Sequence, residues 1–265
     1  MGVLSLCQFL FFSLGGYCMG FYLANHGPMD QWGIPESLSY VKSTVGEKHP
    51  PWFLGAFRSF PISVFLGLLI PGLVALLIGL TTFVSRVRGV YFAILTQAIT
   101  VAAWLGFMNI DNGLGGTNGV RPSKSTILGA QIQPGLGTFP EREAFESTIS
   151  FMGAHAEVAI QQTRFWLYMV TATVLLLLVA ATRYLSRSPF GRVLVAIRDD
   201  ESRLRFSGYQ PWAFKTMAFV IAALLAAIGG MLYVPQTLII TPQKIEAIAS
   251  IMVVVWVALG GRASL

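Results

Sequence analysis

Ser59–Ser85 reads SFPISVFLGLLIPGLVALLIGLTTFVS and holds no charged residue. An α-helix needs roughly 20 apolar residues to cross the hydrocarbon of a bilayer, and this run exceeds that. Pro71-Gly72 in its middle predicts a kink, because proline removes a backbone donor and crowds the preceding turn. The pattern recurs along the chain. Apolar spans are expected over about 3–25, 61–85, 90–108, 165–183, 214–235 and 245–261, the last one short. Gly15-Gly16 and Gly229-Gly230 fall inside two of them, where small residues let helices approach closely. The chain is 54% hydrophobic and 11% charged, against about 25% charged in soluble domains. The expected fold class is all-α. It is one transmembrane domain over 1–265, a polytopic bundle of about five or six transmembrane helices.

The net charge of +6 reads as orientation, not as nucleic-acid binding. Arg86 and Arg88 stand unopposed in a short link. Seven bases crowd 183–215: Arg183, Arg187, Arg192, Arg198, Arg203, Arg205 and Lys215. The loops at 26–60 and 109–164 carry three and four bases. The two sparse loops are therefore expected outside, and 86–88 and the 184–213 loop in the cytoplasm. Within the long outer loop, Pro140–Thr163 looks helical and amphipathic. Cys7 and Cys18 share one apolar segment, about 16 Å apart along a helix, too far for a disulfide. They read as packing residues. The chain begins almost within a span and stops directly after an apolar one, so it is expected to be a piece of a longer protein.

Catalytic signatures are missing from the sequence. It contains no GxxxxGK[ST], no GxGxxG, no HExxH and no Cys/His cluster with metal spacing. An enzyme is not expected, and neither is a cofactor bound by this chain. Charged residues inside the spans are nearly absent, whereas ion-coupled carriers commonly keep buried ionisable groups. That points to an energy source elsewhere, such as a separate ATPase.

Two stretches carry polar chemistry. In 90–119, Gln97, Thr100 and Trp104 fall on one helical face. A buried amide needs a partner. These residues either line a path for a small polar solute or bond between helices. Asn109, Asn112, Gly115, Gly116 and Asn118 make a turn-rich exit whose amides contact a neutral solute or simply shape a loop. The second stretch is Ser188–Gln210, SPFGRVLVAIRDDESRLRFSGYQ. Ser188 caps and Pro189 starts a predicted helix. Phe190, Val193, Leu194 and Ile197 form one apolar stripe, and Gly208 offers a left-handed stop. Arg192, Arg198, Asp199, Asp200, Glu201, Arg203 and Arg205 cover the rest. The acidic triplet disfavours binding to anionic lipid and favours a protein partner.

Several segments resemble the integral membrane subunit of bacterial ABC importers of the branched-chain amino acid type. They are FFSLGGYCMGFYL (11–23), SRVRGVYFAILTQAIT (85–100), GLGGTNG (113–119), Ser188–Gln210 and VVWVALGGRASL (254–265). Thr96-Gln97-Ala98, Trp256-Val257-Ala258 and Gly260-Gly261-Arg262 lean toward the urea-importer branch. The resemblance implies a multi-pass protein of the bacterial inner (plasma) membrane. It implies ABC ATPase subunits that hydrolyse the ATP, a second homologous permease, a periplasmic substrate-binding protein and surrounding membrane lipid as partners. It also makes Arg192, Arg198, Asp199, Asp200, Glu201, Arg203 and Gly208 part of a coupling helix that docks on the ATPase. Urea or a related small amide is the first substrate implied. A branched-chain amino acid is the alternative, and an ATPase-independent channel or a transport-free membrane scaffold stands behind both.

Overall fold

The computed structural model describes residues 5–26, 52–85, 89–109, 116–122, 125–127, 130–132 and 142–260. The helices described are α1 (Gln8–Asn25), α2 (Phe60–Val84), α3 (Val90–Met108), α4 (Arg142–Arg187), α5 (Pro189–Asp199), α6 (Glu201–Phe206), α7 (Pro211–Thr237) and α8 (Ala247–Leu259). A small antiparallel hairpin pairs β1 (Ser125–Ile127) with β2 (Ala130–Ile132) in the link between α3 and α4. Among the described residues, five stretches are long and apolar enough to cross a membrane: Phe60–Val84, Tyr91–Met108, Phe165–Arg187, Pro211–Thr237 and Pro242–Leu259. The protein is a polytopic all-α membrane protein. Its α2 runs unbroken through Pro71.

The bundle is built around α1, which is less apolar than those five. Leu10, Phe11, Ser13 and every side chain from Gly15 to Ala24 are buried within protein. A helix shielded from lipid by its neighbours can carry Ser13, Tyr17 and Tyr22, which a lipid-facing helix would expose to hydrocarbon. Glycine sets how closely α7 approaches. A Cβ on Gly15 would collide with the Ala227 backbone, and one on Gly230 with the Phe12 carbonyl. The helix backbones touch there, as small-residue interfaces in membranes allow. Gly230→Val is expected to destabilise the detergent-solubilised protein by about 1–3 kcal/mol, read as a fall in Tm. An unchanged Tm would mean that the interface yields freely.

The helices alternate in direction. Leu6 at the start of α1 meets Thr96 near the start of α3. Phe83, at the end of α2, stacks on Phe92 with centroids 5.1 Å apart, and both meet Phe219 near the start of α7. The α4–α5–α6 turn joins this end through α7. The arginine-rich 184–213 segment therefore sits at the end where α2 gives way to α3. Arg86 and Arg88 themselves lie outside the described residues. At the opposite end, Val120 and Ile240 exchange backbone hydrogen bonds of 2.8 and 3.0 Å, and Asn25 donates to the Leu54 carbonyl at 2.8 Å.

The apolar stretch Phe165–Arg187 is the second part of α4, which runs continuously for 46 residues, so the helix expected over the second half of the long loop leads straight into the expected span. That is about 69 Å of helix, more than twice a hydrocarbon core of about 30 Å. Helical geometry does not change where polar residues give way to apolar ones. One expectation is corrected, in the polar segment: helix is interrupted at Asp200, which is extended (φ −153°, ψ 100°).

Candidate functional site

Two polar regions stand out, one at the arginine-rich end and one within the bundle. The first is the α5–α6 elbow. Ser188 accepts from the Gly191 amide at 3.4 Å and so caps α5. The apolar stripe turns toward the bundle: Ile197 is buried, and Phe190 lies 6.0 Å from the Phe214 ring. This face packs toward α7.

Asp200 explains the interruption. Its carboxylate accepts from the amides of Ser202 and Arg203 at 3.0 and 3.2 Å and caps α6. The Ser202 hydroxyl, then the Arg203 amide, hold its carboxyl below the usual carboxylate range. The acidic triplet is thus three different environments. Asp199 meets Arg198 at 3.4 Å, with side chains 64% and 61% exposed. Asp200 meets Arg203 at 3.0 Å. Glu201 turns inward: one oxygen accepts from Arg205 at 2.7 Å and the other from Lys215 at 2.8 Å. Exposed pairs of the first kind contribute about 0–1 kcal/mol. Arg192 is exposed.

Gly208 closes α6 at φ +82°. Its amide donates to the Arg205 carbonyl at 3.0 Å, and Tyr209 donates to Leu204 at 3.3 Å. These two bonds form a Schellman stop. Just before it, Phe206 is 92% exposed, and Tyr209 beside it is 51% exposed. Sequence reasoning overlooked Phe206 and the burial of Lys215. An aromatic residue directly before a stop glycine was the available signal for the first.

The second region is the seam between α1, α3 and α8. The Thr96 hydroxyl accepts from the Leu6 amide at 3.2 Å, and the Ser250 hydroxyl accepts from the Phe9 amide at 3.4 Å. Side chains thereby satisfy amides at the start of α1 that have no intrahelical acceptor. Thr100 donates to the Thr96 carbonyl at 2.8 Å, with the Leu6 carbonyl 3.5 Å away. Thr100 is therefore occupied with packing.

Its face-mates are not. Gln97 Oε1 and Trp104 Nε1 are buried without a hydrogen-bond partner, and so is Ser13 Oγ on α1. Tyr17, one turn beyond Ser13, sets its ring 4.8 Å from that of Phe107, one turn beyond Trp104. Ser13 and Trp104 therefore occupy one layer of the seam. The predicted exit residues lie elsewhere. Asn109 caps the end of α3, about 18 Å along the helix from Gln97. Gly116 is buried and Asn118 exposed in the single turn Gly116–Asn118, against which Gln243 donates to the Thr117 carbonyl at 3.4 Å. Asn112 and Gly115 lie outside the described residues. Among the described residues, no three His, Cys, Asp or Glu side chains gather as a metal site would require.

The family described as "Branched-chain amino acid transport system / permease component" matches residues 1–265. The chain belongs to that permease family. It is similar to the high-affinity branched-chain amino acid transport system permease protein LivM of Salmonella typhimurium (strain LT2), 30% identical over 183 residues and 68% of this chain. The Escherichia coli (strain K12) protein of the same name is 31% identical over the same share. The matched stretch covers 41% of each relative's length. No solved structure matches the chain at comparable significance.

Proposed function

We propose that the chain is the membrane permease subunit of an ATP-driven ABC importer for branched-chain amino acids in the bacterial inner membrane. The observation that carries the reading is the whole-length family match, joined by two relatives that are named as branched-chain amino acid permeases. The expectation that put urea first gives way to its alternative. Gln97 pointed to a neutral amide, yet an unpaired amide oxygen accepts equally well from an amino acid's ammonium group. In this reading the separate ATPase subunits hydrolyse the ATP and the α5–α6 elbow meets them. A second permease completes the pore, lipid surrounds it, and a periplasmic binding protein delivers the solute. This chain binds no cofactor and performs no chemistry on its solute.

The test is uptake of labelled leucine and labelled urea by cells expressing the full-length permease with its partners, with and without a functional ATPase. ATPase-dependent leucine uptake is expected. ATPase-dependent uptake of urea alone would return the reading to the urea branch. Flux that survives loss of the ATPase would make the protein a channel.

A further inference from the structure

We propose that the Glu201–Lys215 ion pair is the fixed link through which movement of the α5–α6 elbow reaches the membrane helices. The inference rests on the proposed ATPase partnership and is silent on substrate. The geometry singles this pair out. It joins residues 14 apart in sequence, on two helices separated by a turn with Gly208 at positive φ and Gln210 extended. Its side chains are 19% and 11% exposed, while the two acid–base pairs beside it are largely open to water. A buried ammonium without its counter-charge costs several kcal/mol, so Lys215 stays bound to Glu201 when the elbow moves. Glu201 is also the first residue of α6, where a carboxylate suits the helix dipole.

The other contacts between elbow and α7 are of a different kind. Phe190 and Tyr209 meet the Phe214 ring at 6.0 and 6.2 Å. Parting such rings costs little beyond their buried area and strands no charge, whereas parting the ion pair leaves a buried ammonium without its counter-charge.

What lies beyond Lys215 is closely packed. Thr216, the next residue, packs against Gly79 of α2. Farther along α7, Ala227 and Gly230 touch the backbone of α1 at Gly15 and Phe12, beside the Ser13 layer. A pull on Lys215 therefore reaches the polar seam through packed backbone. Coupling carried by such a chain of contacts is a physical claim only where breaking one contact changes it. Glu201 and Lys215 are positioning residues in this account, since neither meets solute.

The full chain is reconstituted in proteoliposomes with its ATPase, partner permease and binding protein. Labelled leucine uptake and ATP hydrolysis are measured in the same vesicles. Glu201→Gln is expected to lower leucine moved per ATP by about tenfold, a usual size for coupling between sites, while the ATPase still copurifies. Lys215→Gln should match it. Because Arg205 also faces Glu201, the swap of Glu201→Lys with Lys215→Glu is made on Arg205→Gln. It should restore most of the ratio found for Arg205→Gln alone. An unchanged ratio in Glu201→Gln overturns the proposal. So does a ratio that stays low in the swap, or loss of the ATPase from the purified complex. If Lys215→Gln fails to accumulate, Glu201→Gln carries the measurement. Uptake by the unsubstituted complex without its ATPase would instead refute the importer reading, and uptake of urea alone would redirect only the substrate.

Discussion

In the proposed importer, Phe206→Ala is expected to weaken binding of the ATPase while leaving the permease folded. The ring is 92% exposed at the end of α6, so its removal takes little packing from the chain itself. A bare phenyl ring in water is unfavourable, and burying it against a partner contributes about 1.5–3 kcal/mol. Its backbone is held by the Schellman bonds at Gly208 and by the Asp200 cap, so little ordering is left to occur on docking. Arg203, with a side chain 87% exposed, stands on the same short helix. Exposed aromatics beside arginines are the residue types that dominate interface energetics. The expected loss of ATPase affinity is about 10- to 100-fold, with Tm unchanged. It is read by titrating the ATPase against detergent-solubilised permease. Phe206→Leu should retain much of the binding. If Phe206→Ala leaves the affinity as it was, the ring lies in the lipid headgroups and the docking face is elsewhere.

The sequence made the membrane character plain because charge is so costly in hydrocarbon that a run such as 60–84 has few other readings. Helix ends were less legible. Asp200 sits where the apolar stripe still permits a helix, and only the capture of the Ser202 and Arg203 amides marks it as a cap. The polar and apolar parts of α4 differ in composition, and composition marks where the apolar stretch starts at Phe165 but not whether the helix continues across it. In the site, Gln97 was conspicuous as an amide in an apolar run. Thr100 looked equivalent to it, since periodicity records a face and not a hydrogen bond to the Thr96 carbonyl. Ser13 went unnoticed because serines in spans usually bond back to their own helix, as Ser63 does to the Ser59 carbonyl. The Glu201–Lys215 pair depends on how the chain folds back after Gly208, and residue spacing does not encode that.

Gln97→Leu is expected to abolish most transport without weakening the fold. A buried acceptor with no partner costs about 1–3 kcal/mol, so an apolar side chain of similar reach should leave Tm unchanged or raise it. Trp104→Phe removes the unpaired Nε1–H and keeps a ring, and Ser13→Ala removes the unpaired hydroxyl. The same stability result is expected for both. Thr100→Val is the contrasting case. It breaks a bond already made to the Thr96 carbonyl at 2.8 Å and should lower stability by about 1 kcal/mol. If a passing solute supplies the missing partners, a donor reaches Gln97 and an acceptor reaches Trp104 and Ser13 only during transport. Losing a bond to a charged solute group costs about 1.5–3 kcal/mol, or roughly 10- to 100-fold in flux at equal surface abundance. Labelled leucine uptake and thermal unfolding in detergent separate the possibilities. Uptake that persists in all three variants would mean that the orphaned atoms do not meet the solute. Stability that falls with uptake would assign them to helix packing. Unpaired polarity is tolerable inside a membrane protein chiefly where it finds a partner in another state, and these three side chains test that directly.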